Sequence, residues 1–216
     1  MADPILMPEI NWSSCQFDPV SPSDTSMMEG RRSEVVASMT PFWKAAFQTA
    51  WLEEIDYGLF DAFVMKASSR GAPFLAYDPS RPRPIAMDTG APLSGTKSGG
   101  GAFNGQAVLQ TITNSRQQVI AGLPAGFKLS PGDYIEYRMT PLKRSLHRIM
   151  ESATANNFGV VTLSVMFGLD TQNFSTAATV HFERASSVMM IDPGSVSAPK
   201  SWGGREASFS ATEIFL

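Results

Sequence analysis

The feature that most limits this chain is a succession of short apolar–polar alternations through its second half. The clearest is Val161, Leu163, Val165 and Phe167, interleaved with Thr162, Ser164 and Met166. Successive side chains of a strand point to opposite faces, so a period of two puts the apolar set on one buried face. Similar segments run from Gln106 to Thr113, Gln117 to Leu123, Tyr134 to Met139, Leu146 to Ser152, Ala178 to Arg184, Ser187 to Ile191 and Ala207 to Phe215. Within Tyr134 to Met139, the residues Ile135, Tyr137 and Met139 share a face, and Pro131-Gly132-Asp133 supplies the turn before them. Short strands at spacings of roughly 8–12 residues predict a sandwich or a barrel.

The first half has a different texture. Residues 1–30 are rich in Pro, Ser and Asp, and Asn11 to Phe17 reads as a short strand. Val35, Ala37 and Met39 then alternate with Glu34, Val36 and Ser38. After Thr40-Pro41, the series Trp43, Ala45, Phe47, Thr49, Trp51 alternates with Phe42, Lys44, Ala46, Gln48, Ala50. We read residues 33–51 as two long strands joined by a bend at Met39-Thr40-Pro41, because a helix over 41–52 leaves Trp43 and Phe47 off its apolar stripe. Residues 53–68 form the expected helix. Ile55, Leu59, Phe60, Phe63 and Val64 recur at helical spacing, acidic residues lie in the first turn and Lys66 in the last, and Ser68 to Gly71 stops it. Pro73 to Tyr77 reads as a strand. The Pro/Gly-rich residues 78–104 read as a loop or interdomain connection. The expected fold is therefore mainly β: a β-sandwich from residues 1–98 with 185–216, one short α-helix at about 53–68, and a small β-barrel-like lobe from 99–184.

Charged residues make up 17% of the chain, below the ~25% of ordinary soluble domains. Two physical causes give such a surface: burial against neighbours, where charge is depleted and Met enriched, or a high strand content, since Lys and Glu are poor strand formers. The net charge of −3 argues against dedicated nucleic-acid binding, which needs a concentrated basic stripe. Arg31-Arg32, Arg81/Arg83 and Lys143-Arg144/Arg148 are too short and interrupted to supply one. Cys15 is the only cysteine, which excludes an intramolecular disulfide and a cysteine metal cluster. MADPILMPEI lacks the basic start and apolar core of a secretory signal, and no stretch nears the ~20 apolar residues of a membrane helix. The expectation is a soluble chain without a membrane segment, folded in a reducing cytoplasm.

Each sign of chemistry has a structural reading beside it. Gly90 to Ser98, GAPLSGTKS, approaches a phosphate-binding loop, but Thr96 separates Gly95 from Lys97 and glycines follow where a helix should open. His147 and His181 lie inside strand-like segments on the face opposite the core, and no G-x-S-x-G elbow accompanies them. Glu53-Glu54 complements a helix start, Asp133 sits in a turn, and Glu206 and Glu213 fall in the terminal hairpin. Nothing in their setting points to a paired-carboxylate mechanism. Trp43 and Trp51 read as core, Trp12 as a further aromatic, and Trp202 in Ser201-Trp202-Gly203-Gly204 as a candidate exposed contact. No catalytic residue, cofactor or metal is expected.

Three groups of residues carry a resemblance. They are the Met28-Glu29-Gly30-Arg31-Arg32 turn into a long aromatic strand, the helix ending before Gly71-Ala72-Pro73-Phe74, and the order Leu129-Ser130-Pro131-Gly132-Asp133-Tyr134, Leu146-His147-Arg148-Ile149, Gly159-Val160-Val161-Thr162-Leu163. Over residues 28–167 this order resembles the minor tail and distal tail proteins of long-tailed, non-contractile phages. The resemblance implies a structural virion protein without enzymatic activity. Such a protein forms a β-sandwich ring, usually a hexamer, at the tail tip, assembled in the bacterial cytoplasm. The ring joins the tail tube protein to the tail hub protein and the receptor-binding apparatus, with DNA only as passing cargo in its channel. Related rings of the tube and the terminator share this implication, while the long loop at 78–104 departs from the pattern. Rings need interfaces that close on themselves, and long strands can extend pairing across subunits. Val35, Ala37, Met39, Trp43, Phe47 and Trp51 are accordingly the expected intersubunit contacts. A carbohydrate-binding β-sandwich for host attachment is the alternative, favoured if Trp202 or Trp12 stands exposed in a polar groove. A cell-wall hydrolase is a third.

Overall fold

The computed structural model describes residues 4–28, 32–37, 40–200 and 205–216. The first part of the chain holds strands β1 (Ile5–Leu6), β2 (Trp12–Val20), β3 (Ser23–Met28), β4 (Arg32–Ala37) and β5 (Phe42–Thr49), then helix α1 (Glu54–Ser68). There follow β6 (Phe74–Tyr77), β7 (Gly95–Thr96), β8 (Ala102–Phe103), β9 (Gln106–Asn114), β10 (Gln117–Ala121) and β11 (Lys128–Leu129). The remainder is β12 (Tyr134–Arg138), β13 (Arg144–Ile149), β14 (Ala153–Thr154), β15 (Val161–Met166), β16 (Thr179–His181), β17 (Ser186–Ile191) and β18 (Ser208–Glu213). The protein is mainly β, with one α-helix among the described residues and a closed barrel, as its alternating segments predict.

The chain divides into two units. Met1–Met7, Phe74–Val188 and Phe215–Leu216 form one, and Pro8–Pro73 with Met189–Ile214 form the other. We call them the barrel unit and the sheet unit. In the barrel unit, six strands close in the order β10-β15-β13-β12-β16-β9, with β9 pairing back onto β10. Its core gathers Leu109, Ile120, Ile135, Tyr137, Ile149, Leu163, Val165 and Val180, and Phe127 packs against Phe103 and Phe182 at ring separations of 5.2 and 5.7 Å. Each such side chain contributes roughly 1.5–3 kcal/mol by leaving water.

Residues 78–104 are no linker, and they group with the barrel unit rather than with Pro8–Pro73. Their polar groups are claimed one by one. Tyr134 donates to Asp78 Oδ2 at 3.0 Å, and Arg184 N–H donates to Pro82 O at 2.7 Å. Asp133 accepts from Ile85 N–H at 3.1 Å and pairs with Arg81 Nε at 3.0 Å. Glu183 accepts from Leu93 N–H at 2.8 Å and pairs with Arg83 Nε at 3.0 Å. Under this cover β12 buries Tyr134, Ile135, Glu136 and Tyr137 in succession, so the expected alternation of its faces is lost.

In the sheet unit, the Met189–Ile191 half of β17 pairs with β18, β18 with β5 and β5 with β2, all antiparallel. One face is apolar: Phe17, Trp43, Ala45, Phe47, Phe209 and Ala211 are all buried. Trp12, Phe47 and Phe209 form an aromatic cluster with separations of 5.0 to 6.1 Å, and Phe60 and Phe63 of α1 close on Phe209 at 6.1 and 5.7 Å. Glu54 and Asp56 in the first turn and Lys66 in the last suit the helix dipole. The helix stops at a 3₁₀ turn, Ser69–Gly71, where Gly71 has φ 62°, a left-handed conformation that favours glycine, and a Cβ there would also displace the Met190 Sδ 2.8 Å away.

Two expectations change here. Residues 33–51 do not form one hairpin: β4 turns back onto β3, while β5 joins β2 and β18. The helix buries Tyr57, Phe60, Phe63 and Ala67, whereas Ile55 and Leu59, placed on the core stripe from spacing, face solvent at 80% and 49% exposure.

Candidate functional site

The sheet unit carries a feature that its own fold leaves uncovered. Strands β3 and β4 make a two-stranded ribbon, and among the described residues each pairs only with the other. The register opposes Asp24 to Val36, Thr25 to Val35, Ser26 to Glu34 and Met27 to Ser33. Alternation therefore gives the ribbon two chemically different faces. Thr25, Met27, Ser33 and Val35 form an uncharged face, while Asp24, Ser26, Arg32, Glu34 and Val36 form a charged one. Every side chain from Ser23 to Met27 and from Arg32 to Val36 is exposed, Met27 at 89% and Val35 at 63%. An isolated two-stranded ribbon is at best marginally stable in water.

The solvent face of the sheet is the second element. Around a shallow groove of about 410 Å³ its positions, Ser14, Gln16, Ala46, Gln48, Ser208 and Ser210, are small or polar and uncharged, while Asp18 and Lys44 stand opposite each other farther along the face. Asp192 organises one side of it, accepting from Ser210 Oγ at 2.6 Å and Thr212 Oγ1 at 2.7 Å, while Ser195 Oγ accepts from Ser210 N–H at 3.1 Å. Phe47 and Phe209 also border the groove but are 1% and 2% exposed, so neither offers a ring face for stacking.

The expected contacts separate into two groups. Val35 and Trp51 are exposed, at 63% and 61%. Trp43 and Phe47, at 3% and 1%, fill the core of their own unit and have no surface for a neighbouring copy, which corrects the expectation for both. For Ala37 only the backbone, in β4, is described; Met39 and Trp202 lie outside the described residues. Trp12 turns its ring onto Phe47 and Phe209 rather than into the groove.

The groups weighed for chemistry are engaged in structural bonds. The Gly90–Ser98 segment runs into the short strands β7 and β8, with Lys97 N–H bonded to Gly101 O, and no helix follows it. His147 is not on a solvent face but 4% exposed, a correction that follows from the direction of β13 into the barrel. Its Nδ1 lies 3.1 Å from Phe167 O, which can only accept, so Nδ1 carries the proton and Nε2 accepts from Ser145 Oγ at 2.8 Å. The imidazole is edge-on to Tyr137, whose hydroxyl donates to Gln118 Oε1 at 3.0 Å. Burial pushes the His147 pKa down to about 4, so the ring is neutral at neutral pH. His181 is likewise pushed down to about 4, first by burial and then by the nearby charges of Arg138 and Arg144, against the pull of Glu136.

Glu136 is the carboxylate that sequence reasoning missed. Fully buried, it pairs with Arg138 at 2.6 Å and Arg144 at 2.9 Å and accepts from Ser186 N–H and Oγ at 3.0 and 3.1 Å. All its acceptor capacity is spent holding strands together. Glu213 similarly accepts from Trp43 N–H at 2.9 Å, while Glu53, Glu54 and Glu206 are exposed. Among the described residues no group of three or more His, Cys, Asp or Glu side chains is placed to hold a metal ion, and no helix is long and apolar enough to cross a membrane. No protein-family model matches the chain, and no curated protein matches it either.

Proposed function

We propose that this chain is a structural, non-catalytic protein that assembles into a ring, and that the ring belongs to the tip of a long-tailed, non-contractile phage tail. The observation that carries the assembling half is the β3–β4 ribbon. It exposes Met27, Val35 and Val36 with no strand beside it among the described residues, and burying such a ribbon against a neighbour supplies the third layer it lacks. The engagement of Glu136, Asp133 and His147 in structural bonds supports the non-catalytic half. The phage-tail identity rests on the order of motifs in residues 28–167, which resembles distal and minor tail proteins. On this reading the ring, hexameric in such proteins, joins the tail tube to the hub within the virion and passes DNA through a channel that is not strongly basic.

Native mass measurement of the full chain over a range of concentrations tests the proposal, with electron microscopy of the same samples. A discrete closed oligomer is expected, and replacing residues 23–37 by a short Gly-Ser turn should reduce it to monomer. A chain that stays monomeric at high concentration and does not close on purified tail tubes overturns the ring. The hydroxyl- and amide-lined groove favours the carbohydrate-binding alternative; glycan binding by such a monomer would put that reading in its place.

A further inference from the structure

Helix α1 is apolar on two sides, and only one is packed against other described residues of the chain. Tyr57, Phe60, Phe63 and Ala67 are buried. On the opposite side Ile55, Leu59 and Ala62 follow at spacings of four and three residues, which makes them one stripe. Ile55 is 80% exposed and Leu59 49%, with Met65 at 70% and Trp51, just before the helix, at 61%. Gly58 sits in the same exposed sector. A Cβ there would meet nothing within 4 Å, so packing within the chain does not require glycine, although glycine weakens a helix relative to alanine. A bare turn of backbone between exposed Ile and Leu permits close approach by a second chain.

We infer that the uncharged face of the β3–β4 ribbon in one copy docks across this outer face of α1 in the next copy. The inference rests on the ring reading and names its contact. The two surfaces match in length: six strand residues span about 20 Å and fifteen helical residues about 22 Å. They match in chemistry, Thr25, Met27 and Val35 against Ile55, Leu59 and Ala62. Their charges match at the two ends, with Glu34 between them on the ribbon's far face. Arg32 near the ribbon tip corresponds to exposed Glu53 and Glu54 at the start of α1, and Asp24 near the ribbon base to Lys66 at its end. Asp24 and Arg32 lie on the far face of the ribbon, so they orient the approach rather than pair directly. The two surfaces are different parts of one chain, so the contact is heterologous, the kind that propagates head to tail and closes into rings.

Cross-linking in the full chain tests this, with Cys15→Ser removing the native thiol. Val35→Cys and Leu59→Cys chains, prepared separately and mixed, should give a covalent dimer on treatment with a short bismaleimide. A chain carrying both changes should give a ladder that ends at the ring size. An intact oligomer with no Val35→Cys to Leu59→Cys cross-link overturns the docking inference and leaves the ring reading standing. A chain that stays monomeric at every concentration and does not close on purified tail tubes overturns both. Val35→Glu and Leu59→Glu provide the second measurement: each should weaken assembly by roughly tenfold or more with the circular dichroism of the fold unchanged. Assembly that tolerates both, in folded chains, overturns the inference.

Discussion

In the barrel unit each of the six strands has a neighbour on both sides, whereas in the sheet unit β2 has only β5 and the ribbon has only itself among the described residues. The contrast lies in the strands and the buried charges rather than in exposed apolar side chains: the barrel unit encloses charges around Glu136 and Asp133 yet exposes Val108 and Phe158, and the sheet unit exposes Met27, Val35, Trp51, Ile55 and Met65. Closure removes strand edges that would otherwise recruit other chains, and open edges invite them. On the proposed ring reading, the closed barrel serves stability and the open ribbon association, so the two can be altered separately.

The largest effect that would test this separation is Glu136→Gln. It leaves Arg144, whose side chain is 5% exposed, without its buried partner, and breaking such a pair costs about 3–5 kcal/mol. Trp12, Trp43 and Trp51 all belong to the sheet unit, while three of the four tyrosines, Tyr77, Tyr134 and Tyr137, belong to the barrel unit; with Tyr57→Phe as the background, the tyrosine signal reports the barrel unit. Denaturant titration should therefore show the loss in the tyrosine near-ultraviolet signal and little of it in tryptophan fluorescence. An equal shift in both signals would mean that the two units unfold as one.

Acid gives a somewhat smaller effect. The His147 pKa falls from 6.5 in the unfolded chain to about 4 in the fold, so the unfolded state binds more protons between these values. The stabilisation is present in full above pH 6.5 and is lost as the pH falls toward 4. It amounts to about 3 kcal/mol at most, from one pKa unit being worth about 1.4 kcal/mol. Unfolding titrations at intervals across this window should follow that slope in the barrel signal, with His181, pushed down to about the same value, adding to it; His147→Gln should therefore reduce the slope without abolishing it.

The smallest effect concerns the sheet unit and has the opposite sign. With open space around its Cβ position, Gly58→Ala should stabilise the isolated chain by up to about 1 kcal/mol through helix propensity. Thermal unfolding followed by tryptophan fluorescence at low concentration measures it. A loss of stability instead would show that Gly58 has a packing role inside the chain, and the contrast between the two units would narrow.

Alternation made much of this legible. It placed the core residues of β5 and β15 and the barrel of short strands, because those strands have one wet face and one dry face. It failed in β12, whose second face is covered at Tyr134 by Asp78 of the strap at 78–104 and at Glu136 by Arg144 and Ser186. The signal for that strap was the pair of arginines in DPSRPRP, each of which finds a carboxylate on the barrel unit. The helix was visible through its termini, but a helix with apolar residues all round does not say which face it buries, and Ile55 and Leu59 were assigned inward. Pairing between distant segments was not legible either. Nothing local in Arg32–Ala37 says that it returns to Ser23–Met28 instead of joining Phe42–Thr49. The ribbon, the part of the candidate site with the strongest case, was therefore read as one arm of a longer hairpin.

β18 sits between β17 and β5, and Ala207, beside its first residue, bonds to Thr49 across 158 positions of sequence. Every strand of the barrel, from Gln106 to His181, is synthesised before it. On a ribosome, which releases roughly 5–20 residues per second, the barrel can therefore close while β2 and β5 still wait for their inner neighbour. The aromatic face that seats α1 is whole only once Phe209 arrives. A chain interrupted during translation would carry a finished barrel and a helix α1 still without the Phe209 ring it packs against.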